Sequence, residues 1–417
     1  MNNLNPFLIK TDNIITGFKN EKPNPYYIFI EEGKIKEIGL QSEIRDSLKQ
    51  FRSFNYPNCT ALPGLVDGHT HMIAPGDGTG GDDIAKETDE TLLIRAVNNA
   101  KIFLNSGVTA ARENGAKNDI GFILKKAIND RIAEGPKMIV CGRPITITAG
   151  HMGYFGSPAD GITQIKKEVR KLIKEGADFI KIAATGGSTV TSNPLKASFS
   201  VLELKTISEE AHRVNKLTAA HCTSNKGIQF ALEAKIDMII HCVFDDENGN
   251  FHYQEDLVEK ILKNNSWVNP TLQISIFGLE HLKDKMKKSS ETSKEQKSML
   301  DKMKISVENR IKTVNKLTKS GVKIMAGSDS PWGSYPPGQF YKEIEALQKA
   351  GMSNYEAILA GTKYSAQSIG LGEQSGVLEI GRNADILIVK GNPLIKISDL
   401  SNPIQVYKNG IKQKNEL

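Results

Sequence analysis

Between residues 64 and 329 the chain alternates short apolar runs with longer amphipathic ones, and few folds accommodate that pattern. The short runs are "GLVDGHTHM" (64–72), "GVTAARE" (107–113), "KMIVCGRPI" (137–145), "FIKIA" (179–183), "LTAAHC" (217–222), "DMIIHC" (237–242), "SWVNPTL" (266–272) and "VKIMAGSD" (322–329). Their apolar character suits strands buried on both faces. The segments between them carry helical periodicity. Ile162, Ile165, Val169, Leu172 and Ile173 share one face before Gly176, and Leu204, Ile207, Ala211 and Val214 share another. Eight strands alternating with helices over roughly 300 residues predict a (β/α)8 barrel. A doubly wound open sheet has the same alternation. The polar residues favour closure, because they collect near the C-terminal ends of many strands, which in a barrel converge on one mouth.

Strand-like runs recur at both ends. "YYIFIEEGKIKEIG" (26–39) reads as two strands around a Glu-Gly turn, and "SGVLEIGRNADILIVKGNPL" (375–394) and "IQVYKNGIKQ" (404–413) have the same character. The two termini are therefore expected to build one small β unit, residues 1–60 with 373–417, around an inserted region at 61–372.

The net charge of +6 is mild for 417 residues. The most charged segment, "HLKDKMKKSSETSKEQKSMLDKMK" (281–304), interleaves acids with its lysines, which predicts a solvated helical insert rather than a nucleic-acid surface. No apolar run is long enough to span a bilayer. The first residues lack the pattern of a secretory signal. Cys59, Cys141, Cys222 and Cys242 show neither zinc-ribbon nor disulfide-framework spacing. The expectation is a cytoplasmic protein with a small-molecule substrate, no nucleic-acid or membrane partner, and room for homo-oligomerisation.

His69 and His71 end the first predicted strand. Two residues apart, they point to one face and can offer two imidazoles to one metal ion. His221 and His241 end the fifth and sixth strands, and Asp329 closes the eighth in a glycine-serine context. Any one of these could be an ordinary buried polar residue, but five in this register form a constellation. His212, His252 and His281 lie on a helix, a turn-like loop and the charged insert, and are read as structural.

Lys181 interrupts an apolar strand, although lysine is among the side chains least often fully buried. It shares a strand face with Phe179 and Ala183 and so points inward with the histidines. Beside two divalent cations its pKa would fall, and the neutral amine could add carbon dioxide to give a bridging carbamate. A salt bridge to Asp329, or a snorkelling lysine at the mouth, is the alternative.

The ordered set "GLVDGHTH", "GVTAARENG", "GADFIKIAATGG", "AAHC", "DMIIHC", "GVKIMAGSD" and "GVLEIGRNADILIV" resembles the amidohydrolase superfamily, in particular its imidazolonepropionase-like, Xaa-Pro-dipeptidase-like branch. The likeness runs from near residue 27 to about residue 410. It implies a (β/α)8 barrel with a small β-sandwich made from both termini. It further implies that His69 and His71 hold the more buried of two divalent ions, that His221 and His241 hold the more exposed one, and that carboxylated Lys181 bridges them. Asp329 would bind the buried ion. The resemblance also implies a hydroxide shared by two zinc ions as nucleophile, with Asp329 as general base and acid. The ligand types admit manganese, iron or cobalt as well as zinc.

By the same resemblance, lysine at 181 favours the two-metal hydrolases over single-metal relatives. Ser224 stands where many of the deaminases carry glutamate, so amide or peptide hydrolysis is preferred. The substrate class expected is a dipeptide, Xaa-Pro-like, or an N-acyl amino acid. A cyclic amide or urea-like compound is the alternative, and a silent binding barrel a third reading. His151, in "GRPITITAGHMGYFG" (142–156), is the candidate substrate contact, against a plain polar loop residue. Arg112 and Arg143 could meet a substrate carboxylate or form structural ion pairs. Some dipeptidases place a tyrosine where this chain has Thr223; Tyr154 could substitute. The glycine-rich loops 74–83 and 186–198 are expected over the mouth.

Overall fold

In the computed structural model, which describes residues 5–18, 24–289 and 293–413, the two ends of the chain meet in one sheet. Seven strands lie in the order Ile411–Lys412, Pro403–Lys408, Ile386–Lys390, Arg52–Pro63, Phe7–Ile14, Tyr26–Glu31, Lys34–Leu40. The hairpin expected around Glu32-Gly33 is present, with Tyr26 opposite Leu40 and Glu31 opposite Lys34. The seam between the termini is the antiparallel pairing of Ile386–Lys390 with residues 59–63. Phe7, Ile28, Ile30, Ile386, Ile388 and Tyr407 bury one face of this sheet together. Of residues 375–390, expected to be strand, only Ile386–Lys390 forms one. Asn383 makes a single antiparallel bridge to Lys34, and Arg382 Nη1 donates to the Gly372 carbonyl.

The middle of the chain is a mixed α/β region whose strands run parallel. Leu65–Thr70, Val108–Glu113 and Lys137–Val140 form one sheet; Phe179–Ala183, Leu217–Cys222, Met238–His241 and Trp267–Asn269 form another. Isolated parallel bridges join Ile145 to Ile182, Val268 to Ile324 and Thr70 to Ser330. The two amphipathic segments are helical, though the second ends at His212, short of Val214, which lies in the turn that follows. Gly161–Glu175 buries Ile165, Val169 and Leu172 and ends at Gly176, whose φ of 106° is the left-handed cap that glycine adopts without strain. Val201–His212 starts with a capping box between Ser200 and Glu203.

The run at 322–329 is not a regular strand, contrary to expectation. Its contacts are single bonds: Val268 N–H to Lys323 O, Met325 N–H to Val268 O, and Gly68 N–H to Ala326 O. Crowding explains the irregularity. A Cβ at Gly327 would stand 2.8 Å from His69 Cβ and 2.9 Å from Asn269, so the backbone passes where a side chain cannot. The charged insert is helical: Leu272–Lys288 and Lys294–Lys319 flank residues that lie outside the described ones. No described helix is long and apolar enough to cross a membrane.

Candidate metal centre

The end of strand Leu65–Thr70 delivers His69 and His71, both buried, to a point beside Asp329. Each histidine has its Nε2 3.3 Å from Asp329 Oδ1. The ligand atoms of the three residues lie within 4.8 Å of one another. Asp329 is aimed there by a backbone with φ of 65° and by its N–H, which donates to the His69 carbonyl at 2.8 Å. Across the same space, His221 Nδ1 and His241 Nε2 face each other at 2.9 Å. The His69 and His241 rings are 5.7 Å apart, so the two groups adjoin. Lys181, 1% exposed, enters from the middle of Phe179–Ala183, and its Nζ makes no hydrogen bond or ion pair with a described residue. One cavity of about 380 Å³ is lined by His69, His71, Lys181, His221, His241 and Asp329 together.

The partners of the imidazoles fix which nitrogens are free. His69 Nδ1 lies 3.0 Å from Asn269 Oδ1, and Asn269 Nδ2 donates to the Gly327 carbonyl, which turns the amide oxygen towards the ring. His71 Nδ1 meets the Gly115 carbonyl at 3.0 Å, and His221 Nε2 the Gly186 carbonyl at 3.0 Å. An oxygen that can only accept requires N–H at the ring atom it touches. The lone pairs of His69 Nε2, His71 Nε2 and His221 Nδ1 are therefore left facing the cavity. His69 Nε2 is buried with no hydrogen-bond partner, an arrangement that costs free energy unless a ligand takes the lone pair. His241 differs: its Nδ1 meets the Thr271 hydroxyl at 2.7 Å, and a hydroxyl can donate or accept.

The electrostatics agree with the geometry. Burial, reinforced by Lys181 and by the neighbouring rings, holds His69, His221 and His241 well below the usual histidine pKa. They are neutral, the form that binds metal. Burial lowers Lys181 to about 8, with Asp329 opposing the shift. The amine is then uncharged more often near neutral pH than that of an exposed lysine.

His151 also lines the cavity; its Nδ1 is 3.1 Å from Thr189 Oγ1 and its ring lies 4.5 Å from that of His221. Burial lowers its pKa to about 3. Arg112 and Tyr154, read as substrate contacts, are not in the wall. Arg112 is 2% exposed, donates to the Gly68 carbonyl at 2.8 Å and lies over the Phe179 ring, beneath the cavity lining. Tyr154 packs edge-on to Phe155, behind the wall. Arg143 is bound up in ion pairs with Asp119 and Glu175.

Four contributors escaped the sequence. Trp332 lies tilted with its ring 5.1 Å from that of His71 and lines the cavity, as does Arg310. Asn269 and Thr271 orient His69 and His241 from the end of the seventh strand. Their signal was positional, since the other inward residues also sat at strand ends. Arg310, inside a lysine-rich helix, had none.

Residues 60–412 match the model of the Amidohydrolase family. Ochratoxinase of Aspergillus niger is 27% identical, over 92% of this chain and 82% of that protein. Among solved structures, a Xaa-Pro dipeptidase with bound methionine in the active site superposes with a TM-score of 0.85 at 25% identity, over 98% of this chain and 100% of that one. The structure of A. niger ochratoxinase shares the fold, with a TM-score of 0.81 at 24% identity over 98% of this chain and 95% of that one.

Proposed function

The chain belongs to the amidohydrolase family and is a hydrolase of amide carbon–nitrogen bonds; from that premise we propose a binuclear metal-dependent enzyme that cleaves a dipeptide or an N-acyl amino acid. The observation that carries this reading is the convergence of oriented lone pairs on one cavity that Lys181 also lines. His69, His71 and Asp329 would hold one ion, and His221 with His241 a second. Carboxylated Lys181 would join the two, its neutral Nζ having added to carbon dioxide and released a proton. Zinc suits this mixture of imidazole and carboxylate donors, and when bound it polarises a carbonyl and makes water nucleophilic near neutral pH.

The remaining steps belong to the chain's own residues. Asp329 takes the proton of the attacking water on its carboxylate and returns it to the departing nitrogen. His151 would hydrogen-bond the substrate from the wall. The parallel bridges at Ile145, Val268 and Thr70 support closure of the two inner sheets into a (β/α)8 barrel. The sheet built from both termini supports a separate composite β domain, residues 1–60 with 373–417, arranged as a sandwich around a barrel of residues 61–372. Four buried free cysteines suit a reducing, cytoplasmic setting.

The test is a panel of dipeptides and N-acyl amino acids offered to protein reconstituted with zinc and bicarbonate, with metal stoichiometry measured in parallel. Amine release with two ions per chain is expected. A protein that takes up two ions yet cleaves no member of the panel removes the substrate assignment, and one that holds a single ion removes the binuclear one.

A further inference from the structure

Beneath the metal cavity, Arg112 reaches from its own strand, Val108–Glu113, to three others. Its Nε donates to the Gly68 carbonyl at 2.8 Å, its Nη2 lies 2.7 Å from Met238 Sδ, and its Cζ stands 4.8 Å over the centre of the Phe179 ring. These contacts share a register. Gly68 directly precedes His69, Phe179 lies two residues before Lys181, and Met238 three before His241. The guanidinium therefore occupies the layer directly under the groups that would hold the ions. Phe179 and Lys181 share a strand face, so that layer lies about two residue rises, roughly 7 Å, below Lys181.

The charge in that layer has no close counter-ion. Arg112 is 2% exposed, its two acceptors are a carbonyl and a thioether, and it makes no ion pair with a described residue. The buried acids around it are engaged elsewhere. Asp67 accepts from Ser328 Oγ and from the N–H groups of Ser328 and His69, and Glu113 Oε2 accepts from the Met72 N–H. Burial lowers the guanidinium to about 9, which leaves it charged at neutral pH. A buried cation without a partner is costly to keep, and in a poorly polarisable interior its field is felt by any group that gains charge nearby.

We propose that Arg112 is a positioning residue for the carbamate of Lys181: its fixed positive charge favours the anionic side chain and, through it, the joining of two ions. The inference rests on the binuclear reading. In the step concerned, the Nζ lone pair forms an N–C bond to carbon dioxide, one C–O π bond breaks, and the amine gives a proton to solvent. Counted from the ammonium, two protons leave and the side chain passes from positive to negative. A fixed cation beneath the strand opposes the first state and favours the second, so it acts on both ends of the step.

The experiment follows carbon-13 carbon dioxide uptake by NMR in the zinc-supplied protein, with zinc stoichiometry measured in parallel and Lys181→Ala identifying the signal. Arg112→Met keeps the bulk and removes the charge. It should need at least about 10-fold more dissolved carbon dioxide for half-labelling and lose the second ion below that level, whereas Arg112→Lys should stay within about 3-fold of the wild type. Met238→Glu cancels the same charge without removing it, by placing a carboxylate where the thioether meets Nη2, and should match Arg112→Met. The wild type gives a reading that needs no variant to fold: a buried charge is not screened, so its midpoint should hold between about 0.05 and 1 M salt. Folded neutral variants that label at the wild-type midpoint overturn the inference and leave the carbamate standing, as does a wild-type midpoint that moves more than about 3-fold with salt. If the wild type takes up no label at Lys181, the carbamate and the inference fall together.

Discussion

At the scale of single residues, the centre depends on side chains that touch no ion as much as on those that would. Thr271 is the clearest case, since it is the partner of the one histidine whose tautomer is not set by an acceptor-only oxygen. Thr271→Val should weaken ion binding at His221 and His241 by about 10- to 100-fold while leaving the other site filled, and Thr271→Ser should restore it. Titration of the apo protein with zinc reads this directly. Lys181→Ala should lose at least about 100-fold in kcat and regain part of it with short carboxylic acids that stand in for the carbamate. Full activity in that variant would sink the carbamate. Asp329→Asn should retain ion at the second site and lose most of kcat; an unchanged kcat would remove its role in proton transfer.

The elements show what could be read beforehand. Strands at 179–183 and 217–222 fell where their apolar runs ended, because glycine and polar residues bound them sharply. The helix end at Gly176 was legible from the glycine itself, whereas the capping box at Ser200 emerges only in the structure. Ser200→Ala should cost about 1 kcal/mol of stability, measured by denaturant midpoint, with little change in turnover. Residues 322–329 misled because an apolar, β-branched run promises a strand, whereas packing of Gly327 against His69 and Asn269 decides otherwise. The metal-ligating types were visible through their spacing. The two readings of Arg112 could not be separated in the sequence, because an arginine near a strand end reads alike whether it faces the mouth or the floor; in the structure it is buried and bonds the Gly68 carbonyl. Arg310 could not be found at all, since only the tertiary structure brings its lysine-rich helix to the cavity.

For the whole molecule, the buried, unpartnered lone pair at His69 predicts that ions stabilise the fold as well as act in it. Removing them with a chelator should lower the Tm, and zinc at about 100 times its Kd should restore about 2.7 kcal/mol per site. A Tm unmoved by chelation would mean that the site carries no such stabilisation. The seam between the termini has a different consequence, one that concerns time. Strand Arg52–Pro63 pairs with Phe7–Ile14 on one side, but its other neighbour, Ile386–Lys390, leaves the ribosome roughly 320 residues later, about 16 to 65 s at ordinary elongation rates. For that interval a growing chain carries an open strand edge, the kind of surface that recruits other chains. The newborn protein is thus most vulnerable to aggregation before its last strands are made, and a chaperone that covers the edge should raise its yield more than any mutation at the centre.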